Sequence, residues 1–366
     1  MTLLFFDLLR ASIGGQTGLS RPFSSQEWEG VYEVCRQQGV VGVVFNFVKT
    51  LPKEEAPSFD LLMKWLSVTT NVEMVMQRMQ QLTEELAERM AEREIPMAVL
   101  KGLAFSQYYP NPLHREFGDL DCFLMGKKAE GDLLISELGG TMEEASYKHS
   151  HLFYKGVTIE NHQFFTDFNN TPTGIATERL LAQLIQEGCS PLGDTHLLCP
   201  PPLFNALFLL KHAQGHFISE GIRMRHVLDW ALFLRAEQTK LVWSRLLPML
   251  ETTRTMSFAV LMTAIASQDL HIPIHNADLQ ARTEGVERRL LDAVLADIMG
   301  DQPAIYVDGL WHKTKRILRR FRRMWKFRSL ASESYPRMVW NAFAFSSYMR
   351  HESISLQQET CEDGCA

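Results

Sequence analysis

Cysteine is scarce in this chain of 366 residues: there are six, scattered at positions 35, 122, 189, 199, 361 and 365. Such spacing does not suit a disulfide-stapled secreted scaffold, so reduced thiols and a cytoplasmic location are the expectation. Glycine (22) and proline (15) are too few for a collagen-like or low-complexity architecture. Long apolar runs are missing as well. Phe204 to Leu210 and the Asp229-interrupted Val227 to Leu234 fall far short of the ~18 residues that cross a bilayer. Met1 to Ala11 is apolar, but it carries Asp7 at its centre, has no basic start and lacks a small-residue cleavage site. It reads as a first helix and not as a signal peptide. No phosphate-loop Gly-x-x-x-x-Gly-Lys, dinucleotide glycine fingerprint or Gly-x-Ser-x-Gly elbow occurs, so kinase-like and hydrolase-like mechanisms lack support.

What is present is core material. With 46% hydrophobic and 22% charged residues, the chain folds, and its length gives two or three structural units. The net charge of −6 offers no whole-chain reason to bind nucleic acid. One segment departs from the average: Lys313 to Arg328 holds nine Lys/Arg and no acid. Ile317, Leu318, Phe321, Met324 and Trp325 fall on one helical face of it. A basic amphipathic helix of this kind lies on an anionic membrane surface, or packs its apolar side on the acidic body, with nucleic acid the less favoured partner.

Helical periodicity runs from Ser25 to Arg93, most clearly after Asn71, where Val72, Val75, Met79, Leu82, Leu86 and Met90 form a stripe. The texture changes at Ile95-Pro96. Met97 to Leu100 reads as a strand, Leu103 to Tyr109 as a helix, Asp119 to Leu124 as a strand, and Leu133 to Leu138 as a helix. His151 to Tyr154 and Val157 to Phe165 read as a hairpin around Lys155-Gly156. From Thr177 helices return, over Glu178 to Gln186, Pro202 to Phe217, Met224 to Arg235, Trp243 to Glu251, Phe258 to Ser267 and Gly285 to Met299. The expected fold class is α+β and α-rich. A helical region (1–93) precedes a small mixed-sheet core (94–170), which a helical domain (171–300) and a basic helix with a polar tail (301–366) follow.

The chemistry concentrates between Leu100 and Leu124. Residues two apart in a strand share a side, so Asp119 and Asp121 place two carboxylates together. Two like charges so close are costly without a cation, and Mg²⁺ takes one or two protein carboxylates plus phosphate oxygens. Taken alone, an Asp-x-Asp is more often a solvated strand end. Its surroundings favour the metal. Gly102 after a strand lets a helix start with its amides toward an anion, Lys101 adds positive charge, and Arg115 supplies a forked donor. Glu160 and His162 share a face of a later strand, which brings a third carboxylate. His212 and His216 have the i, i+4 spacing of a zinc helix but lack an evident third ligand. Arg223, Arg225 and Asp229 fit either a buried ion pair or a nucleotide-facing wall.

Leu100-Lys101-Gly102, Tyr108, Pro112, Arg115, Asp119-Leu-Asp121 and Ile159-Glu160-x-His162 resemble, in order, the bacterial uncharacterised nucleotidyltransferase family of the polymerase-beta-like superfamily. Leu210-Lys211-His212-x-x-x-His216 and Arg223-x-Arg225-His-Val-Leu-Asp229-Trp230 resemble that family's helical portion, so the likeness spans roughly residues 70–260. The resemblance implies a nucleotidyltransferase-like core in which Asp119, Asp121 and Glu160 bind two Mg²⁺ and Glu160 holds the ion that activates the acceptor hydroxyl. Lys101 and the Gly102 amide would touch the triphosphate, with Arg115, Lys211, His212, Arg223 and Arg225 as further nucleotide-binding candidates. Two departures stand out: Leu103, where the superfamily usually has Ser or Gly, and Glu160 in place of Asp. The implied reaction is Mg²⁺-dependent transfer of a nucleoside monophosphate from an NTP, such as ATP, to a hydroxyl-bearing acceptor. The alternatives are a non-catalytic binding or interaction module, held at the membrane by the basic helix, and a nucleotide sensor without turnover.

Overall fold

In the computed structural model the described residues are 2–14, 18–166, 171–300, 324–328, 330–334, 336 and 340. Four helices come first: α1 (Thr2–Ser12), α2 (Ser25–Gln37), α3 (Val41–Val48) and α4 (Phe59–Ala91). Their starts follow the local chemistry. Ser24 and Glu27 form a reciprocal capping box on α2, and the Ser58 hydroxyl accepts from the Leu61 amide on α4. Trp65 of α4 is fully buried between Trp28, Tyr32 and Phe45, and its indole N–H donates to the Val41 carbonyl at 2.9 Å. The buried stripe of α4 runs through Met76, Met79, Leu82, Leu86 and Met90, while Val75, expected inside, is 45% exposed. Helix phase keeps Val75 within about 40° of Met79, so its exposure marks a stretch of this face that the described residues leave uncovered.

A seven-stranded mixed sheet follows: β1 (Met97–Val99), β2 (Asp119–Phe123), β3 (Thr141–Ala145), β4 (His149–Tyr154), β5 (Val157–His162), β6 (Ser190–Pro191) and β7 (Leu197–Cys199), in spatial order β3-β4-β5-β2-β1-β7-β6. β2 runs parallel to β5 and β1 parallel to β7, and the other pairs are antiparallel. The expected strands and the Lys155-Gly156 turn are present, with φ of 48° and 88° at the two turn residues. β3, β6 and β7 are additional, and β6 and β7 lie beyond the expected 94–170 core. The fold is α+β and helix-rich, as the residue pattern indicated.

Helices α5 (Leu103–Ser106) and α6 (Lys128–Glu137) connect strands; then come α7 (Pro172–Ile185), α8 (Pro202–Ser219), α9 (Met224–Glu237), α10 (Trp243–Thr252), α11 (Met256–Gln268), α12 (Ala277–Glu284) and α13 (Arg288–Gly300). α5 ends at Ser106, short of the expected Tyr109, where the Ser106 hydroxyl turns back onto the Leu103 carbonyl. Buried Gln38, capping α2, accepts from the Met224 amide at 2.8 Å and so fixes the start of α9 against the N-terminal helices. Most of the basic run 313–328 lies outside the described residues. Its last five, Met324–Arg328, form a 3₁₀ turn, where fully buried Lys326 pairs with Asp297 and donates to the Phe217 carbonyl at 2.8 Å. No helix among the described residues is long and apolar enough to cross a membrane.

Candidate active site

The parallel register of β2 and β5 sets Asp121 directly opposite Glu160, and Asp119 opposite Thr158. Alternation along each strand then brings Asp119, Asp121, Glu160 and His162 to one face of the sheet, while Leu120, Cys122 and Ile159 fill the other. Asp121 is 3% exposed, and its Oδ1 is shared by the Lys101 ammonium at 2.7 Å and His162 Nε2 at 3.0 Å. Burial alone would raise the Asp121 carboxyl, but the charges of Lys101 and His162 hold it well below the usual carboxylate range. His162 also donates Nδ1–H to the Phe164 carbonyl at 2.9 Å. Serving both partners requires both ring nitrogens to carry protons. The carboxylates Asp121 and Glu160 raise its pKa against the opposing effect of burial.

Asp119 is treated differently. Among the described residues no hydrogen bond or ion pair takes up its side chain, and burial together with the Asp121 charge pushes its carboxyl up. Glu160 lies 3.6 Å from His162 Nε2 and 3.8 Å from His149 Nε2. Burial acts to raise Glu160, and His162, Lys101 and His149 together outweigh it, so its pKa lies below the ordinary value. Asp121, Glu160 and His162 each present a ligand atom within 4.8 Å of the others, and His149, His151 and Glu160 do the same. Burial and the neighbouring His162 push His149 down to about 4.

Two cavities meet on this face. The larger, about 500 Å³, is walled by Lys101, Gly102, Asp119, Asp121, His212, His216, Arg223, Arg225 and His226. The smaller, about 400 Å³, is walled by Asp119, His149, Glu160, Thr166, Thr173, Lys211, Gln214, Ser332 and Glu333 among others. Lys101, Asp119, His212 and His216 border both. The carboxylates are thus divided: Asp121 faces the larger space, Glu160 the smaller, and Asp119 the seam.

The sequence candidates are not all free to act as their residue types suggest. Gly102 has φ 54° and ψ −105°, a conformation that side-chain-bearing residues avoid, and a Cβ there would lie 3.1 Å from the Phe117 ring. With α5 only four residues long, a helix dipole contributes little, and the backbone turn itself is what Gly102 supplies. Arg115 borders the larger cavity, yet its Nε and Nη2 donate to the two Asp229 oxygens at 3.1 and 2.7 Å. The expected phosphate fork is therefore committed to a carboxylate. Lys211 lines the smaller cavity, donating to the Thr253 carbonyl at 3.0 Å and Ser332 Oγ at 2.6 Å, and burial lowers it to about 8. His212 Nε2 is 3.5 Å from Lys101 Nζ, and burial plus that charge holds it well below its ordinary value, hence neutral. Its ring is 4.4 Å from that of His216, and no third ligand joins the pair among the described residues. Arg225 donates to the Glu116 carbonyl, while its Nε is buried without a partner. His149 was not foreseen as a site residue. The signal was the His149-x-His151 alternation, which puts both imidazoles on one strand face.

The profile of a family described as an uncharacterised nucleotidyltransferase matches residues 24–270. No curated protein and no solved structure matches the chain. The matched span includes every residue of both carboxylate-bearing strands and both walls of the larger cavity.

Proposed function

The chain belongs to the uncharacterised nucleotidyltransferase family and so to the transferase enzymes, and from that premise we propose that it moves a nucleoside monophosphate from an NTP to a hydroxyl-bearing acceptor with the help of Mg²⁺. One observation carries this reading: Asp121 on β2 stands in register with Glu160 on β5, and Asp119, two residues before it on the same face, lies at the seam of two cavities. The donor set fits a hard divalent ion, because half-buried Asp119 stands beside the like charge of Asp121, and among the described residues no ion pair takes up its side chain. Divalent ions bound there supply charge neutralisation at the phosphates and a lowered pKa at the attacking hydroxyl.

The protein's own groups divide the remaining work. The larger cavity suits the nucleotide, with Lys101, Arg223, Arg225 and neutral His212 on its wall and the Gly102 turn offering close backbone approach. Lys101 is paired with Asp121, and were a metal to take over that compensation, its ammonium would be available to the triphosphate. Arg115 acts at one remove, bracing Asp229 behind the wall. The smaller cavity, onto which Glu160 faces, suits the acceptor. Positioning and charge neutralisation account for the catalysis that this arrangement can provide.

Calorimetric titration of Mg²⁺-ATP and Mg²⁺-GTP, beside the double variant Asp119→Asn, Asp121→Asn, tests the reading. Binding in the high-micromolar range or tighter that disappears in the variant supports it. If neither nucleotide binds, the transfer reading fails and the fold serves as a binding module.

A further inference from the structure

The antiparallel register of β4 and β5 pairs His151 with Glu160 and His149 with His162. His149 and His151 are two apart on one strand, so both imidazoles stand on the same face as Glu160. Their rings are 4.4 Å apart between centroids, and His149 Nε2 is 3.8 Å from Glu160 Oε2. On the same face His162 is bonded through both nitrogens. His149 is not. It is 9% exposed, its Nδ1 is buried without a partner, and no hydrogen bond of its side chain or that of His151 occurs among the described residues. Two imidazoles that nothing else consumes, beside a carboxylate, make an incomplete coordination shell.

We propose that His149, His151 and Glu160 bind a divalent transition-metal ion of the zinc class, next to the oxygen site of Asp119 and Asp121 but chemically unlike it. Two imidazole nitrogens select Zn²⁺, Ni²⁺ or Cu²⁺ over Mg²⁺, which takes oxygen ligands. Ligand atoms around a tetrahedral ion with bonds of about 2.0–2.1 Å stand roughly 3.3 Å apart. The three groups already lie within 4.8 Å of one another, so small side-chain rotations close the shell. Three protein ligands leave the fourth position open, the arrangement of catalytic rather than structural zinc sites. His149 and Glu160 both border the smaller cavity, so the open position faces that space and would polarise a hydroxyl bound in it. The metal site stands on these three residues alone; its role toward the acceptor rests on the transfer reading above.

Zn²⁺ alone, titrated by calorimetry into the full chain after chelator treatment and without nucleotide or Mg²⁺, tests the site. One equivalent bound at micromolar affinity or tighter is expected, with Co²⁺ in its place giving the visible absorption of a tetrahedral nitrogen-ligated ion. His149→Gln and His151→Gln each weaken Zn²⁺ binding at least tenfold while an unchanged circular dichroism spectrum shows the fold intact, and Asp119→Asn, Asp121→Asn retains it. Absence of Zn²⁺ binding at 100 μM overturns the proposal, as does binding lost in the aspartate variant but kept in both histidine variants. Mg²⁺-ATP titration of the same samples reports separately on the transfer reading: Zn²⁺ binding without nucleotide binding keeps the metal site and removes its role toward an acceptor.

Discussion

Replacing Asp229 with Ala removes the centre of the buried ionic cluster behind the larger cavity. Its carboxylate accepts from Arg115 at 3.1 and 2.7 Å and from the Tyr109 hydroxyl at 2.7 Å, and the Arg115 and Asp229 side chains are 7% and 1% exposed. An exposed ion pair contributes only about 0–1 kcal/mol. Removing one partner of a buried pair leaves an uncompensated charge in the interior and costs about 3–5 kcal/mol. Arg225 is a second buried guanidinium that Asp229 supports, since burial and Arg115 otherwise lower its pKa, so the upper part of that range is expected. Urea unfolding at pH 7, read as a fall in the midpoint with an unchanged slope, measures it. Asp229→Asn keeps the shape and isolates the charge. Burial would raise the Asp229 carboxyl, but Arg115 outweighs it and the folded pKa lies below the ordinary value. The contribution of the charge is therefore complete above the unfolded carboxyl pKa of about 3.9 and is lost as pH falls through the lower folded value. The stability gap between the parent protein and Asp229→Asn should stay constant from about pH 8 to 5 and narrow below about pH 4. A loss under about 1 kcal/mol in Asp229→Ala, or a gap that shrinks between pH 6 and 8, refutes the assignment of the cluster as a buried brace.

Asp119→Asn carries the opposite sign. Burial and Asp121 raise the folded pKa of Asp119, so its ionised form opposes folding, and the variant should gain on the order of 1 kcal/mol at neutral pH, the usual size of relief at a functional site. A thermal midpoint that falls instead would contradict the unpaired, like-charged environment described for it. At Gly102 any side chain meets both the positive φ and the Phe117 ring. Gly102→Ala should cost about 1–3 kcal/mol and weaken nucleotide binding, and equal stability of the two proteins in urea would show that the turn tolerates a Cβ.

Helices α2 and α4 were legible because each repeats its apolar face over two turns or more, enough for the period to declare itself; α3, eight residues and apolar nearly all round, has no such face. β1 was legible from the Pro96 and Gly102 breaks around a short apolar run, and β2 from the alternating faces of Asp119 to Leu124. β6 and β7 were not: strands of two and three residues carry no measurable alternation, and β7 is a strand only because it pairs with β1 about a hundred residues away. For the site, i and i+2 logic sufficed to bring Asp119 to Asp121 and Glu160 to His162. It could not bring the two strands together, which depends on the parallel register of β2 and β5. Arg115 marks the limit of reasoning from residue type. Its fork was evident, but the carboxylate that takes it lies 114 residues further on.

The register also breaks a symmetry that the spacing alone suggests. As a sequence, Asp-x-Asp offers two equivalent carboxylates; in the fold they are opposites. Asp121 sits deepest, already neutralised by Lys101 and His162 on a single oxygen, so its charge is settled before any ligand arrives. Asp119 stands at the seam of both cavities with burial and a like charge acting against its ionisation. A divalent cation at this face would therefore relieve Asp119 most, while at Asp121 it must compete with an ammonium already in place. The competition gives Lys101 its importance. The side chain that compensates Asp121 borders the cavity proposed for the triphosphate, so a metal that took over this compensation would leave the Lys101 charge to that cavity. Groups that are separate in the sequence, Lys101 and a carboxylate pair that begins eighteen residues later, meet because β1 and β2 are antiparallel neighbours.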